Sequence, residues 1–208
     1  SATIELNFNN EVDGSALVLN QNYVNANGDT YSVESLKYYI SNVILTNTDG
    51  STYTVPNSYY LIDNISEKVT IANVPTGSYS KITMSIGVDN TANLSTAQTG
   101  DLDPNNNMAW SWDTGYKFLL FEGRYTSKNK QEGTFTFHIG KNANYKTLNF
   151  NKNLTLADAS TTNIDFSANV QEIFTNPTSI DLETTNVSHG ENGATIANNY
   201  SNNFITIK

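Results

Sequence analysis

Ile82-Thr83-Met84-Ser85-Ile86-Gly87-Val88 alternates large apolar residues with small or polar ones, and that period of two is the mark of a strand with one face in a core. The same period recurs on both sides. Upstream, Ile4, Leu6 and Phe8 alternate with Thr3, Glu5 and Asn7, and Ala16 to Leu19 is a second short apolar run. Leu36, Tyr38 and Ile40 continue into Val43-Ile44-Leu45 as one long strand with room for a bulge. Tyr59 to Ile62, then Val69 and Ile71, precede Val74-Pro75-Thr76-Gly77, a turn in which proline presets φ. Downstream, Phe135, Phe137 and Ile139 point one way while Thr134, Thr136 and His138 point the other. Leu148 to Phe150, Leu154 to Leu156, and Ile164, Phe166, Ala168 and Val170 complete the series.

Repeated short strands, turn pairs such as Asn27-Gly28 and Asp49-Gly50, and few helical windows define an all-β chain. The expected architecture is an antiparallel β-sandwich, immunoglobulin-like in general shape. The tail differs. Gln171 to Phe174 reads as one helical turn stopped by Pro177, and Ile196, Tyr200 and Phe204 stand at helical spacing, which predicts a short C-terminal helix. No internal repeat or Pro- or Ser-rich linker divides the 208 residues, so residues 1–208 are expected to form a single domain.

Composition narrows the function. With 20 acidic against 11 basic residues the net charge is −9, and no Lys/Arg cluster offers a track for phosphates, which argues against nucleic acid as a partner. The absence of cysteine removes disulfides and thiolate metal sites, leaving His, carboxylates, amides and carbonyls for any metal. No apolar stretch is long enough for a transmembrane segment, and no signal peptide begins at Ser1. Without a Gly-rich phosphate loop, a nucleophile elbow or an HExxH helix, the chain reads as a binding protein and not an enzyme.

The central alternation ends at Asp89-Asn90, beside the densest stretch of the chain, GDLDPNNNMAWSWDTGYKFLLFEG from Gly100 to Gly123. Trp110 and Trp112 are its two tryptophans, and their spacing predicts both indoles on one face of an extended strand. Tyr116 to Phe121 reads as a mostly buried strand. Asp101, Asp103, Asn105 and Asn107 offer oxygens at alternate positions, as calcium loops do, but without the glycine and closing glutamate of an EF-hand; the same residues also build Asx turns. The only histidines are His138 and His189. Imidazole is a frequent copper ligand, although a lone strand histidine is commonly a hydrogen-bonded structural residue, and paired tryptophans are commonly sheet-face aromatics.

Met108-Ala109-Trp110-Ser111-Trp112 followed by Gly115-Tyr116-Lys117-Phe118, with Gly87-Val88-Asp89 upstream and His138-Ile139-Gly140 downstream, resembles the MbnP-like family of periplasmic copper-binding proteins from methanobactin operons. The likeness runs from Tyr39-Ile40-Ser41-Asn42 through Tyr60-Leu61-Ile62-Asp63 and Val74-Pro75-Thr76-Gly77 to Ser188-His189-Gly190. It implies a β-sandwich that binds copper through histidines and kynurenine, an oxidised tryptophan made by a partner di-haem peroxidase of the MbnH type. Carried to this chain, it implies His138 and His189 as ligands with Trp110 or Trp112 as the oxidised residue, Trp110 first from its place in the motif. An indole N–H is a donor only, whereas kynurenine brings an aryl amine and a ketone. Some relatives carry four cysteines, and this chain has none. The resemblance also implies export to the periplasm or cell surface, compatible with a lipid anchor upstream of Ser1. A reading of a different class is a surface module for carbohydrate or protein, in which Trp110, Trp112 and the tyrosines form an exposed stacking platform. Exposure of the indoles separates the two.

Overall fold

The computed structural model describes residues 1–64 and 66–208, and the side chains of all of these except 190 and 191. Period-two burial runs through β1 (Ala2–Val12), where Ala2, Ile4, Leu6 and Phe8 are buried and the residues between them half-buried. Short β2 (Ser15–Ala16) and β3 (Tyr23–Val24) lead into β4 (Thr30–Asn47), the long strand. Against it return β5 (Thr52–Thr54) and β6 (Tyr59–Asp63). Then come β7 (Ser66–Val74), β8 (Gly77–Ile86), and the antiparallel pair β9 (Lys117–Thr126) and β10 (Glu132–Gly140). The chain closes with β11 (Lys146–Leu156), β12 (Thr161–Asn169), β13 (Val187–Gly190), helix α1 (Ala194–Tyr200) and β14 (Ile205–Ile207).

Among the described residues these strands form two sheets facing each other as a sandwich. One runs β14-β12-β1-β2 with β7 also on β1; the other runs β11-β8-β4-β9-β10-β13, with β3, β5 and β6 on β4. The sandwich is as expected, but the sheets are mixed and not purely antiparallel. β1 pairs parallel with β12, Thr3 opposite Thr161 through Glu11 opposite Asn169, and β10 pairs parallel with β13. Parallel neighbours need a long crossover, and both arrive after one: β12 after every strand of the second sheet except β13, and β13 after β11, β12 and the segment that follows. Alternation within one strand reports which face is buried and carries nothing about the direction of its neighbour.

The core between the sheets is aromatic and aliphatic. Phe8 stacks on Phe166 at 5.1 Å, Phe150 of the opposite sheet meets Phe166 edge-on at 5.2 Å, and Phe121, Phe135 and Phe174 close one end. Each such fully buried ring is worth about 1.5–3 kcal/mol over exposure. Tyr38 crosses the layer and donates its hydroxyl to Asn10 Oδ1 at 2.7 Å. The bulge expected in β4 is present where its pairing slips between Ser41 and Ile44. Leu148 to Phe150 and Leu154 to Leu156 belong to one strand, β11, with a bulge between Asn151 and Leu154. Val170–Phe174 is a 3-10 turn, and α1 ends at Tyr200, so buried Phe204 lies past the helix on the way into β14.

The nine-stranded sheet is covered on both faces. Tyr38, Ile40, Leu119 and Phe121 face the core, while their neighbours Tyr39, Phe118 and Leu120 pack on the other side with Val88, Leu102, Met108 and Tyr116. That second cluster sits under the loops joining β8 to β9. It explains why Tyr116 to Phe121 reads as a continuous apolar run, since a strand buried on both sides has no polar face to alternate with.

Candidate metal centre

β10 carries Phe137 and Ile139 into the core, so the period of two turns His138 to the outer face, directly opposite Leu120 of β9. Glu122 stands two residues further along β9 on that same face, diagonal to His138, and its Oε1 lies 2.5 Å from His138 Nε2. An ionised carboxylate can only accept, so this hydrogen bond assigns the proton to Nε2 and leaves the lone pair on Nδ1. On the other edge of β10, the parallel register sets His189 opposite His138. The imidazoles meet edge to face with centroids 4.9 Å apart. His189 is exposed and His138 half-buried.

Burial holds His138 below the ordinary imidazole range; Glu122 opposes through its hydrogen bond, and Lys117 and His189 push further down. Lys117 is itself lowered, chiefly by burial, with Glu122 opposing and Lys37 adding to the effect. The pocket therefore favours a neutral ring, the form that ligates metal.

Trp110 packs beside this pair, its ring centroid 6.4 Å from that of His138. The expectation of two indoles on one face of an extended strand is corrected here. Trp110 N–H bonds to Gly115 O at 3.0 Å, and Thr114 N–H to Asp113 Oδ1 at 2.8 Å, so residues 111–115 close on themselves as a loop and the strand period fails at Ser111. Gly115, at φ 105°, supplies the left-handed residue that closure needs. The indoles still meet, at 5.2 Å between centroids, but in opposite environments: Trp110 is 7% exposed and Trp112 64%. They do not form a shared open platform.

Trp110 Nε1 is buried and, among the described residues, has no hydrogen-bond partner. Leaving such a donor unsatisfied costs about 1–3 kcal/mol. Its seat is cut to fit, because a Cβ at Gly140 would come 2.9 Å from Nε1 and 2.6 Å from Tyr116 O. Lys117 Nζ lies 5.7 Å from the Trp110 ring and Lys141 Nζ 5.5 Å from that of Trp112, while Lys141 is ion-paired to Asp113. A cavity of about 280 Å³ opens between Trp112, Asp113, Lys141, His189 and Asn192.

The structure thus brings His138, His189, Trp110 and Trp112 into one cluster, although nothing in their sequence separation requires it. Sequence reasoning missed Glu122, Lys117, Lys141 and Asp113. For Glu122 the signal was available, a carboxylate two residues from an apolar strand position, but its partner depends on the pairing of β9 with β10. Among the described residues no three His, Cys, Asp or Glu side chains gather as a ready-made metal site. A site on the two imidazoles would need a further donor of another kind.

The Asp101–Asn107 loop lies over the second apolar cluster, and Asn107 O accepts at 3.4 Å from Lys117 Nζ, the amine that sits over the Trp110 ring. Asp101 Oδ2 accepts the Leu61 N–H at 2.8 Å, and Asp103 Oδ1 accepts the Asn105 N–H at 2.8 Å, capping a 3-10 turn over Pro104–Asn106. Asn107 adopts the left-handed conformation that ends that turn. Asp103, bonded two residues on, makes an Asx turn, while Asp101 ties the loop to the backbone of β6.

A β-sandwich of two mixed sheets, with a histidine pair and a tryptophan pair gathered at one edge, is the class these observations define. The family model for MbnP matches residues 1–194, and the chain belongs to that family. The solved structure of MbnP from Methylosinus trichosporium superposes with a TM-score of 0.56 at 13% identity, covering 90% of this chain and 80% of that one. At that identity the likeness concerns the fold. No curated protein sequence matches the chain.

Proposed function

We propose that the protein is an exported copper-binding protein, of the periplasm or cell surface, in which His138, His189 and kynurenine formed from Trp110 hold the metal. The observation that carries this reading is the meeting of the chain's only two imidazoles across one register position, with Trp110 packed against them. The residues fit the group. Glu122 orients His138 as a carboxylate behind a metal-bound imidazole does, and it leaves Nδ1 with a lone pair for a metal. The unsatisfied Nε1 of Trp110 marks a buried polar position beside them. Copper bound there would supply one-electron redox chemistry or simple storage of the ion.

The partner is a di-haem peroxidase. Two equivalents of peroxide, reduced to water at the partner, take four electrons and four protons from the indole while two waters supply the oxygens added across its C2–C3 bond, and hydrolysis then frees formate to leave an aryl amine and a ketone. The protein is in this reading the substrate of that step and a binding protein afterwards. A carbohydrate platform is less well supported, because only Trp112 of the pair is open.

Co-expression with a di-haem peroxidase of the MbnH type, followed by mass spectrometry of the tryptophan peptide and copper titration, tests the reading. Expected are kynurenine at residue 110 and copper binding that falls in His138→Ala and His189→Ala. An unmodified peptide despite an active partner, or copper binding indifferent to both substitutions, sinks it.

A further inference from the structure

Trp110 is buried beside the histidines, whereas Trp112 is open to solvent and packed against it with centroids 5.2 Å apart. A protein-bound oxidant cannot touch the first indole but can touch the second. Electron tunnelling falls off exponentially with edge separation, so two indoles in van der Waals contact exchange an electron far faster than a buried ring does with a haem outside the protein.

We propose that Trp112 is the surface relay through which Trp110 is oxidised. This rests on the reading above, that Trp110 is the residue modified, and adds the route. An outer-sphere one-electron oxidant, in the cell a high-valent haem docked at the surface, takes an electron from Trp112 and is reduced. The Trp112 radical cation then takes an electron from Trp110 and is restored. Repeated four times, with two waters supplying the oxygens, this converts Trp110 to N-formylkynurenine and releases four electrons and four protons. Hydrolysis of the formyl group gives kynurenine and formate.

One feature fixes the contact between the two indoles. Lys141 sits 5.5 Å from the Trp112 ring and is tied to Asp113, so a fixed ion pair holds the exposed indole against the buried one.

The test uses a photogenerated ruthenium(III) tris-bipyridine complex, with a cobalt(III) ammine as sacrificial acceptor. This oxidant is too large to enter the buried site and needs no partner protein. Peptide mass spectrometry at residue 110 is read in wild type, Trp112→Phe and Trp112→Tyr. Both rings cover Trp110, but only tyrosine can carry a hole. The expected result is modification of Trp110 in wild type, its loss in Trp112→Phe and its retention in Trp112→Tyr. An unmodified residue 110 in wild type, equal modification in Trp112→Phe, or a loss in Trp112→Tyr as complete as in Trp112→Phe overturns the relay. Copper titration separates this from the preceding reading: a relay that fails leaves histidine-dependent copper binding intact, and copper binding that ignores the histidines leaves the residue-110 yields unchanged.

Discussion

His138 and His189 occupy the same register position on the parallel strands β10 and β13, and their rings meet edge to face at 4.9 Å. The relationship ties a core strand to a short edge strand, and only one of the two rings is needed by the surrounding packing. His189 is exposed. His189→Ala is therefore expected to keep folding stability within about 0.5 kcal/mol of wild type, as surface changes do, while lowering copper affinity. Thermal unfolding beside copper titration checks this. A large fall in stability would mean that His189 is structural.

In the proposed site Glu122 would act on copper only through His138. Glu122→Gln keeps the shape and a weaker acceptor, and loss of such an outer partner costs about 10–100-fold in metal affinity. Isothermal titration of the kynurenine-bearing protein reads the change directly, and an affinity equal to wild type would show that the Glu122–His138 hydrogen bond does not orient a ligand.

Acid acts on His138 in a defined direction. Burial first, with Lys117 and His189 in support, holds its imidazolium below the ordinary value of 6.5. Between the folded and unfolded values the folded chain binds fewer protons. The contribution of this group to stability is therefore complete above about 6.5 and is lost as pH falls through the lower, folded value. Proton-detected NMR of the metal-free protein is expected to show His138 titrating below 6.5, and Glu122→Gln, which removes an upward influence, moves the midpoint lower still. A midpoint above 6.5 contradicts the burial argument.

Gly140 leaves the space that Trp110 fills. Gly140→Ala would drive a methyl group to 2.6 Å from Tyr116 O and 2.9 Å from Trp110 Nε1. Overpacking of this kind costs about 1–3 kcal/mol. Denaturant unfolding together with a red-shifted tryptophan emission is the expected result, and an unchanged spectrum and midpoint would mean that the indole is not fixed by this contact.

Faces were legible in the sequence where partners were not. Ile4, Leu6 and Phe8, or Phe135, Phe137 and Ile139, announce their buried side through a period of two that any half-buried strand must show. His138 could be assigned to the outer face by the same count. Its pairing with His189 could not, because a parallel neighbour that arrives some fifty residues later leaves no local trace. The motif resemblance named the four aromatic and imidazole residues without their arrangement. For Trp110 and Trp112 spacing misled, since the loop from Ser111 to Gly115 replaces the strand and sends one indole inward and the other out. Glu122 stayed invisible as a site residue for the same reason as the histidine pair: its role is set across strands.

X-ray absorption of the copper-loaded, kynurenine-bearing protein tests the centre most directly, since imidazole ligands give resolvable outer-shell scattering and the chain holds only two of them. Two imidazoles on copper in the intact protein, falling to one in His138→Ala and to one in His189→Ala, are the expected result. Copper that shows no imidazole scattering, or scattering unchanged in both variants, would contradict a site built on this pair.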